Sequence, residues 1–167
     1  KLNIPLLGQL NTSTHQTAFT VSIDYSIGTS TGISAQDRSS TIKAVIDSGS
    51  TPEDFARPGH TFPLRARNGG VLVRPGHTEA SVDMVVMAGL SPVAAICEIM
   101  SEDGSMARFP ELQKFSEQHN IKIVSIPQLI AFRRKTEMLV ARVDSAKLPT
   151  KYGEFTVVGY SNKYDSD

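Results

Sequence analysis

Apolar and polar residues alternate over residues 17–25. Because successive side chains of a strand point to opposite faces, this alternation predicts a half-buried β-strand. Ser34 and Asp37 follow at the spacing of a helix N-terminal capping box. The helix that they predict carries apolar residues on one face and stops near Gly49, since glycine often ends a helix.

The rest of the pattern alternates between strand-like and helix-like segments. Strand-like runs are predicted at 71–74 after an Asn-Gly-Gly turn, at 93–100 as a buried strand, and at 121–126. Further helices are predicted to begin at Thr78, at Pro110 and at Pro127, the last one reaching about Ala146. A hairpin within this alternation favours a mixed β-sheet covered by helices over a purely parallel sheet.

The end of the chain has a different pattern. Residues 148–150 are typical of a linker, and 154–160 of one more strand with nothing after it to pair with. We therefore expect a first domain over 1–146, then a linker and the truncated start of a second domain over 147–167. Lys1 is not Met, and the apolar residues directly after it resemble core, so the chain is expected to begin inside a longer protein.

Composition narrows the class of protein. The 167 residues include 17 basic and 17 acidic side chains, which opposes a nucleic-acid or membrane-surface partner. Cys97 is the single cysteine, so an internal disulfide is excluded and a reducing compartment, the cytoplasm, is expected. No apolar run approaches the ~20 residues of a membrane span.

The four-residue motif Arg-Pro-Gly-His occurs twice, at 57–60 and at 74–77. Each copy is predicted to place a cation and an imidazole on an accessible Pro/Gly loop. The alternative is two ordinary loops that share turn residues. We call the two copies the first and second Arg-Pro-Gly-His segments.

The second segment is predicted to join the end of a strand to the beginning of a helix. Free backbone N–H groups at a helix N-terminus attract anions, and Gly76 lets a ligand approach the backbone. With the Arg74 guanidinium and the Thr78 hydroxyl, these groups predict a phosphate-binding cradle. Thr78 is also open to interpretation as a plain N-cap, and Glu79 as a carboxylate that complements the helix dipole.

Glu98 is a carboxylate within an apolar run. It lies either at the solvent end of a strand or partly buried, and burial would raise its pKa towards the range of a general base. Together, His60, His77 and Glu98 suit a divalent cation with acid–base chemistry. Their spacing does not by itself prove such a site.

Several longer sequence motifs, in the order in which they occur along the chain, resemble those of one family. They are Phe19-Thr20-Val21-Ser22-Ile23-Asp24, Thr31-Gly32-Ile33-Ser34-Ala35-Gln36-Asp37-Arg38, the first Arg-Pro-Gly-His segment, Gly69-Gly70-Val71-Leu72, Gly76-His77-Thr78-Glu79-Ala80 and Asp103-Gly104-Ser105-Met106-Ala107-Arg108. Residues from about 2 to 134 resemble 3,4-dihydroxy-2-butanone 4-phosphate synthase of riboflavin biosynthesis. The tail resembles the start of GTP cyclohydrolase II, as in the bifunctional riboflavin enzyme.

This resemblance implies a reaction and a site. D-ribulose 5-phosphate would become L-3,4-dihydroxy-2-butanone 4-phosphate and formate through enediolates stabilised by Mg²⁺ or Mn²⁺. His77 would be the metal ligand, and His60 and Glu98 the essential acid–base residues. The implied substrate-binding residues are Thr31, Arg74, Pro75, Gly76, His77, Thr78 and Glu98.

The resemblance also implies an α+β fold, a three-layer α/β/α-type sandwich around a mixed β-sheet. It further implies a homodimer with its active site at the subunit interface. In the family, an acidic segment upstream of the region matched by Lys1 supplies a metal-binding glutamate and a substrate-binding aspartate. Neither residue is in this sequence, so the fragment is expected to be nearly inactive alone. The competing hypothesis is a non-catalytic module that binds a phosphorylated sugar and dimerises.

Overall fold

A computed structural model describes residues 1–8 and 10–164, which form four α-helices and four strands. In chain order these are β1 (Ile23–Tyr25), α1 (Ala35–Ile46), β2 (Phe55–Thr61), α2 (His77–Met87), α3 (Phe109–His119), α4 (Ile126–Thr136), β3 (Val140–Thr150) and β4 (Gly153–Asn162). Short 3-10 helices lie at Pro52–Asp54 and Gly70–Leu72. The expected α+β class is confirmed.

Strand β1 pairs antiparallel with β2, with Tyr25 opposite Phe55. The predicted strand 17–25 is regular only over its last three residues, and within these its pairing register with β2 shifts between Ile23 and Asp24. Isolated bridges at residues 19 and 20 extend it irregularly. The alternation therefore marked the correct segment but overestimated its regular part.

Helix α1 begins as its capping residues predict and packs on this strand pair. The Ser34 hydroxyl accepts a hydrogen bond from the Asp37 N–H at 3.0 Å. The Thr41 hydroxyl accepts one from the Tyr25 N–H at 2.9 Å, which ties the helix to β1. A first core forms here from Leu2, Ile23, Ala44 and Phe55.

A second core lies between α2 and α4 and consists of Val71, Ala80 and Leu129. Beside it, the buried Arg133 donates to Asp83 and to the Gly69 carbonyl, each at 2.8 Å, and to Glu137. The bonds to Glu137 raise the pKa of Arg133 and lower the pKa of Glu137. Paired in this way, a buried charge can be tolerated in the interior.

Three of the strand-like runs do not form strands. The predicted strand at 71–74 is wrong, because Gly69 and Gly70 take positive φ and turn the chain into the 3-10 helix. The segments 93–100 and 121–125 have no strand partner in the described part of the chain, apart from a bridge between Met100 and Met106. An apolar run becomes a strand only where a neighbour accepts its backbone hydrogen bonds.

As a result, the strand pairing is less extensive than the expected three-layer arrangement around a mixed sheet. Within the described residues, the strands form two separate two-stranded sheets, and both are antiparallel. Helix α3 is confirmed within one residue of its predicted start. It ends at His119, where Asn120 takes a left-handed conformation.

The long helix expected from Pro127 to Ala146 is wrong. Helix α4 ends at Thr136, and the chain continues as β3, which pairs along its length with β4 through a two-residue turn at Lys151 and Tyr152. The expected linker at 148–150 therefore lies inside β3, and the expected unpaired strand at 154–160 has a partner. The last part of the expected second domain, 165–167, lies outside the described residues.

None of the helices in the described ranges is both long and apolar enough to cross a membrane.

Candidate active site

The first Arg-Pro-Gly-His segment lies inside β2, so its predicted loop is wrong. The backbone N–H of His60 donates to Asp24 Oδ1 at 2.8 Å, and His60 Nδ1 lies 2.6 Å from Asp24 Oδ2. The Asp24 side chain is 12% exposed, whereas the His60 side chain is 45% exposed. The imidazole is thus fixed at Nδ1 by a buried carboxylate while much of the ring faces solvent.

Gly59 is required by the close approach of β1 and β2. Its N–H donates to the Ser22 carbonyl oxygen at 3.1 Å. A Cβ at this position would lie 2.2 Å from the carbonyl carbon of Ile23. Only glycine lets the strand carry His60 this close to Asp24.

Thr31 lies on an exposed loop that packs against the same carboxylate. A Cβ on its neighbour Gly32, where φ is +87°, would lie 2.0 Å from Asp24 Oδ2. The loop is held by Asp37, which accepts hydrogen bonds from the Ser30 hydroxyl at 2.7 Å and the Gly32 N–H at 3.1 Å. The hydrogen bond from the Ser30 hydroxyl lowers the pKa of Asp37 most, and the hydrogen bonds from the backbone N–H groups of Ser30 and Gly32 lower it further. The structure thus brings the Thr31 loop to the Asp24–His60 pair.

The second Arg-Pro-Gly-His segment leads into α2. The N-cap is Gly76, so the interpretation of Thr78 as an N-cap is wrong; Thr78 lies in the first helical turn and is buried. The first helical bond runs from the Ala80 N–H to the Gly76 carbonyl oxygen at 2.9 Å. The helix therefore begins two residues earlier than an N-cap at Thr78 predicts, because Gly76 already has the extended conformation of a cap.

The Arg74 guanidinium is bound by acceptors of the protein itself. Its Nη1 donates to Glu79 Oε2 at 2.5 Å, and its Nη2 donates to the His15 carbonyl oxygen at 2.8 Å and to the Thr17 hydroxyl at 3.1 Å. Glu79 is 1% exposed and also accepts from the Arg67 N–H at 3.0 Å. Glu79 is thus the buried partner of Arg74, a role beyond complementing the helix dipole.

The other predicted site residues lie on the surface. His77, Pro75 and Glu98 are exposed, and Gly76 is half-buried. For Glu98, this excludes the buried alternative, because residues 93–100 do not form the expected buried strand. Among the described residues, no hydrogen bond or ion pair joins His60, His77 and Glu98 to one another.

A metal site is not complete within the described part of this chain. Over residues 1–8 and 10–164, no three His, Cys, Asp or Glu side chains come close enough to hold a metal ion. Magnesium prefers several oxygen ligands, and His77 alone offers one imidazole nitrogen. These residues by themselves do not fit a divalent cation.

The cavities beside residues 65–68 lie away from the predicted catalytic residues. One, of about 440 Å³, is also lined by Asp83 and Arg133, and the other, of about 620 Å³, is also lined by Asn11 and Gln16. Neither is lined by His60, His77 or Glu98. The predicted catalytic residues therefore lie outside these two cavities.

Sequence reasoning missed Asp24 and Asp37. Asp24 falls on the polar face of the alternating segment, which is usually the solvent face, but the pairing with β2 and the close approach of Gly32 bury it. Asp37 was interpreted as a helix-cap residue, although it also holds the Thr31 loop. The signal available in the sequence was the pair of glycines, Gly32 and Gly59, that close around Asp24.

Residues 1–132 match the family model of 3,4-dihydroxy-2-butanone 4-phosphate synthase. The chain belongs to this family. The bifunctional riboflavin biosynthesis protein RIBA 1 of Arabidopsis thaliana is 51% identical over 99% of this chain and 31% of its own length. The riboflavin biosynthesis protein RibBA of Mycobacteroides abscessus is 52% identical over 93% of this chain and 38% of its own length. The chain thus spans about a third of these relatives.

Solved structures of the family have the same fold. The two-domain 3,4-dihydroxy-2-butanone 4-phosphate synthase RibBX of A. baumannii superposes with a TM-score of 0.86 and is 42% identical, covering 96% of this chain and 47% of its own. A synthase solved in complex with two magnesium ions has a TM-score of 0.73 and 37% identity, covering 81% of this chain and 68% of its own.

Proposed function

We propose that this chain is the part of a lyase that converts D-ribulose 5-phosphate to L-3,4-dihydroxy-2-butanone 4-phosphate and formate in riboflavin biosynthesis. The observation that carries this proposal is the family match over residues 1–132. The geometry supports it, because the first Arg-Pro-Gly-His segment presents an imidazole that is fixed on one side and open on the other.

His60 and Glu98 are the proposed acid–base residues. Both are exposed, so a substrate can reach them. The reaction removes a proton next to a ketone and later returns protons, and an imidazole and a carboxylate can serve both steps. Thr31 is a proposed substrate contact, since its loop packs on the Asp24 that holds His60.

The first turn of α2 is the proposed phosphate-binding part of the site. Among the described residues, no side chain of the N-cap accepts a hydrogen bond from this turn. The first N–H group of α2 that donates within the helix is that of Ala80, so the N–H groups before it have no acceptor within the helix. Pro75, Gly76, His77 and Thr78 keep their proposed contacts to substrate there. Arg74 acts differently from a free phosphate fork: by binding Glu79 it fixes the turn, and its charge assists the phosphate from that position.

A divalent cation, Mg²⁺ or Mn²⁺, is part of the proposal, with His77 as its ligand. The support is the solved relative that holds two magnesium ions. The described residues do not complete a metal site by themselves. In the family, an acidic segment supplies a metal-binding glutamate, so the further ligands come from outside the described residues. A homodimer with its active site at the subunit interface is also part of the proposal.

We further propose that residues 1–146 are the synthase domain and that 147–167 begin a GTP cyclohydrolase II-like domain. The relative named as bifunctional supports this arrangement. The hairpin of β3 and β4 spans the boundary and would connect the two parts. The cytoplasm is the proposed location, consistent with the single, exposed Cys97 thiol.

The test is formate release from D-ribulose 5-phosphate, measured on the longest reading frame that contains this chain, with added Mg²⁺ or Mn²⁺. The proposal expects metal-dependent formate release that Glu98→Gln abolishes without unfolding the protein. Binding of the sugar phosphate without formate would instead support the non-catalytic module. Formate release at the normal rate by Glu98→Gln would remove Glu98 from the site.

A further inference from the structure

The buried carboxylate of Asp24, on β1, binds His60 on β2. Its two oxygens bind two different groups of one residue, the backbone N–H and the ring Nδ1 of His60, at 2.8 and 2.6 Å. This two-point attachment fixes both the position and the rotation of the imidazole. Gly32 closes over the carboxylate, so a larger residue there would displace it.

The contact also determines which ring nitrogen carries the proton. A carboxylate only accepts hydrogen bonds, so a neutral imidazole beside it keeps its proton on Nδ1. The lone pair is then on Nε2, on the part of the ring away from Asp24. A nitrogen in this state can accept a proton from a substrate, and the carboxylate stabilises the imidazolium that results.

We propose that Asp24 is the positioning residue of His60, which it holds as the Nδ1–H tautomer with Nε2 available for proton transfer. This inference rests on the proposed function for its catalytic consequence. The tautomer itself is a property of the folded chain and can be measured without any turnover.

The first measurement is the ¹⁵N spectrum of histidine-labelled protein at a pH where the ring is neutral. His60 is assigned by comparison with a His60→Gln sample. The proposal expects a protonated Nδ1 and an unprotonated Nε2. A spectrum with the proton on Nε2 would overturn the proposal, whatever the activity of the enzyme.

The second measurement uses Asp24→Asn. The amide oxygen can still accept from the His60 N–H, which leaves the amide NH₂ facing Nδ1. Two donors cannot face each other, so the ring should reverse its tautomer and lose its free Nε2 lone pair. We expect kcat for formate release to fall by about 10²- to 10⁴-fold with KM unchanged.

Asp54→Asn is the matched control. Asp54 is another aspartate next to β2, and it binds the Thr51 N–H at 2.8 Å in a turn. The Asp54→Asn substitution should leave both the His60 tautomer and kcat unchanged. An Asp24→Asn protein that folds and keeps either the wild-type tautomer or the wild-type kcat would contradict the proposal. If that variant fails to fold, the wild-type spectrum still decides.

A wild-type enzyme that shows the expected tautomer but releases no formate would contradict the proposed function and leave the positioning by Asp24 intact. The two failures are therefore distinguishable.

Discussion

The two Arg-Pro-Gly-His segments have the same sequence and different structures. The first is part of β2, and its histidine is bound through Nδ1 to a buried aspartate. The second contains Gly76, the N-cap of α2, and ends at His77, which is the first residue of the helix and is exposed. The four shared residues therefore do not determine the local structure. The partner strand determines it for the first segment, and the helix that follows determines it for the second.

The arginines of the two segments have a common role. Arg57 donates to the carbonyl oxygens of Leu2 and Pro52, at 2.9 and 3.1 Å, and Arg74 donates to that of His15. Each therefore ties part of residues 1–17 to the segment. The difference is the anionic partner, because Arg74 also binds the buried Glu79. The arginine of the second segment is therefore fixed by an ion pair with Glu79, whereas in the first segment it is the histidine that is fixed by a carboxylate.

The largest expected difference between the segments is catalytic. His60→Gln should lower kcat for formate release by about 10²- to 10⁴-fold, because a positioned proton-transfer group is lost. His77→Gln should instead raise the concentration of Mg²⁺ needed for half-maximal rate. Steady-state kinetics over a magnesium titration would check both, and equal behaviour of the two variants would remove the distinction.

The second prediction concerns two carboxylates. Glu79→Gln should lower the free energy of unfolding by about 3–5 kcal/mol, since it leaves the Arg74 guanidinium without its buried anionic partner. Glu98→Gln is the matched control, because Glu98 is exposed and should change stability by less than about 0.5 kcal/mol. Urea denaturation of the two variants measures both. Similar losses would mean that the Arg74–Glu79 pair is not structural.

The third prediction compares the glycines. A Cβ at Gly59 would meet backbone atoms of Ile23 at 2.2 Å, whereas a Cβ at Gly76 would meet only side-chain atoms, the end of Arg74 at 2.4 Å and of Glu79 at 2.8 Å. Gly59→Ala should therefore cost about 1–3 kcal/mol or more, and Gly76→Ala should lie at the lower end of that range. Thermal unfolding would order them, and the reverse order would contradict the close approach of β1 and β2.

How far the sequence predicted these features depends on the range of the interactions. The Ser34 cap and helix α3 depend on residues close in the chain, so their patterns predicted them. The structure of the first segment, the burial of Asp24 and the Arg74–Glu79 pair depend on contacts that pattern alone does not specify. The hairpin of β3 and β4 also depends on such contacts. Pairing with β4 makes residues 140–150 a strand, where the local pattern predicts that the helix continues to about Ala146.

The smallest expected effect is a loss of stability in acid from the loop beside the first segment. Hydrogen bonds lower the pKa of Asp37 in the folded chain, so its contribution is present above its ordinary pKa of about 4 and is lost as the pH falls through the lowered value. Asp37→Asn should be less stable than wild type at neutral pH and should lose less on acidification. Unfolding curves from pH 7 to pH 3 would check this, and parallel curves for the two proteins would contradict it.

The most direct test of the central claim is the ¹⁵N state of the His60 ring in the wild-type protein. The account requires that the first segment holds its imidazole on Asp24 with the proton on Nδ1 and the lone pair on Nε2. An Nδ1–H signal for His60, absent from the His60→Gln sample, is the predicted result. A ring with its proton on Nε2, or one that averages freely between both tautomers as an exposed histidine does, would contradict it.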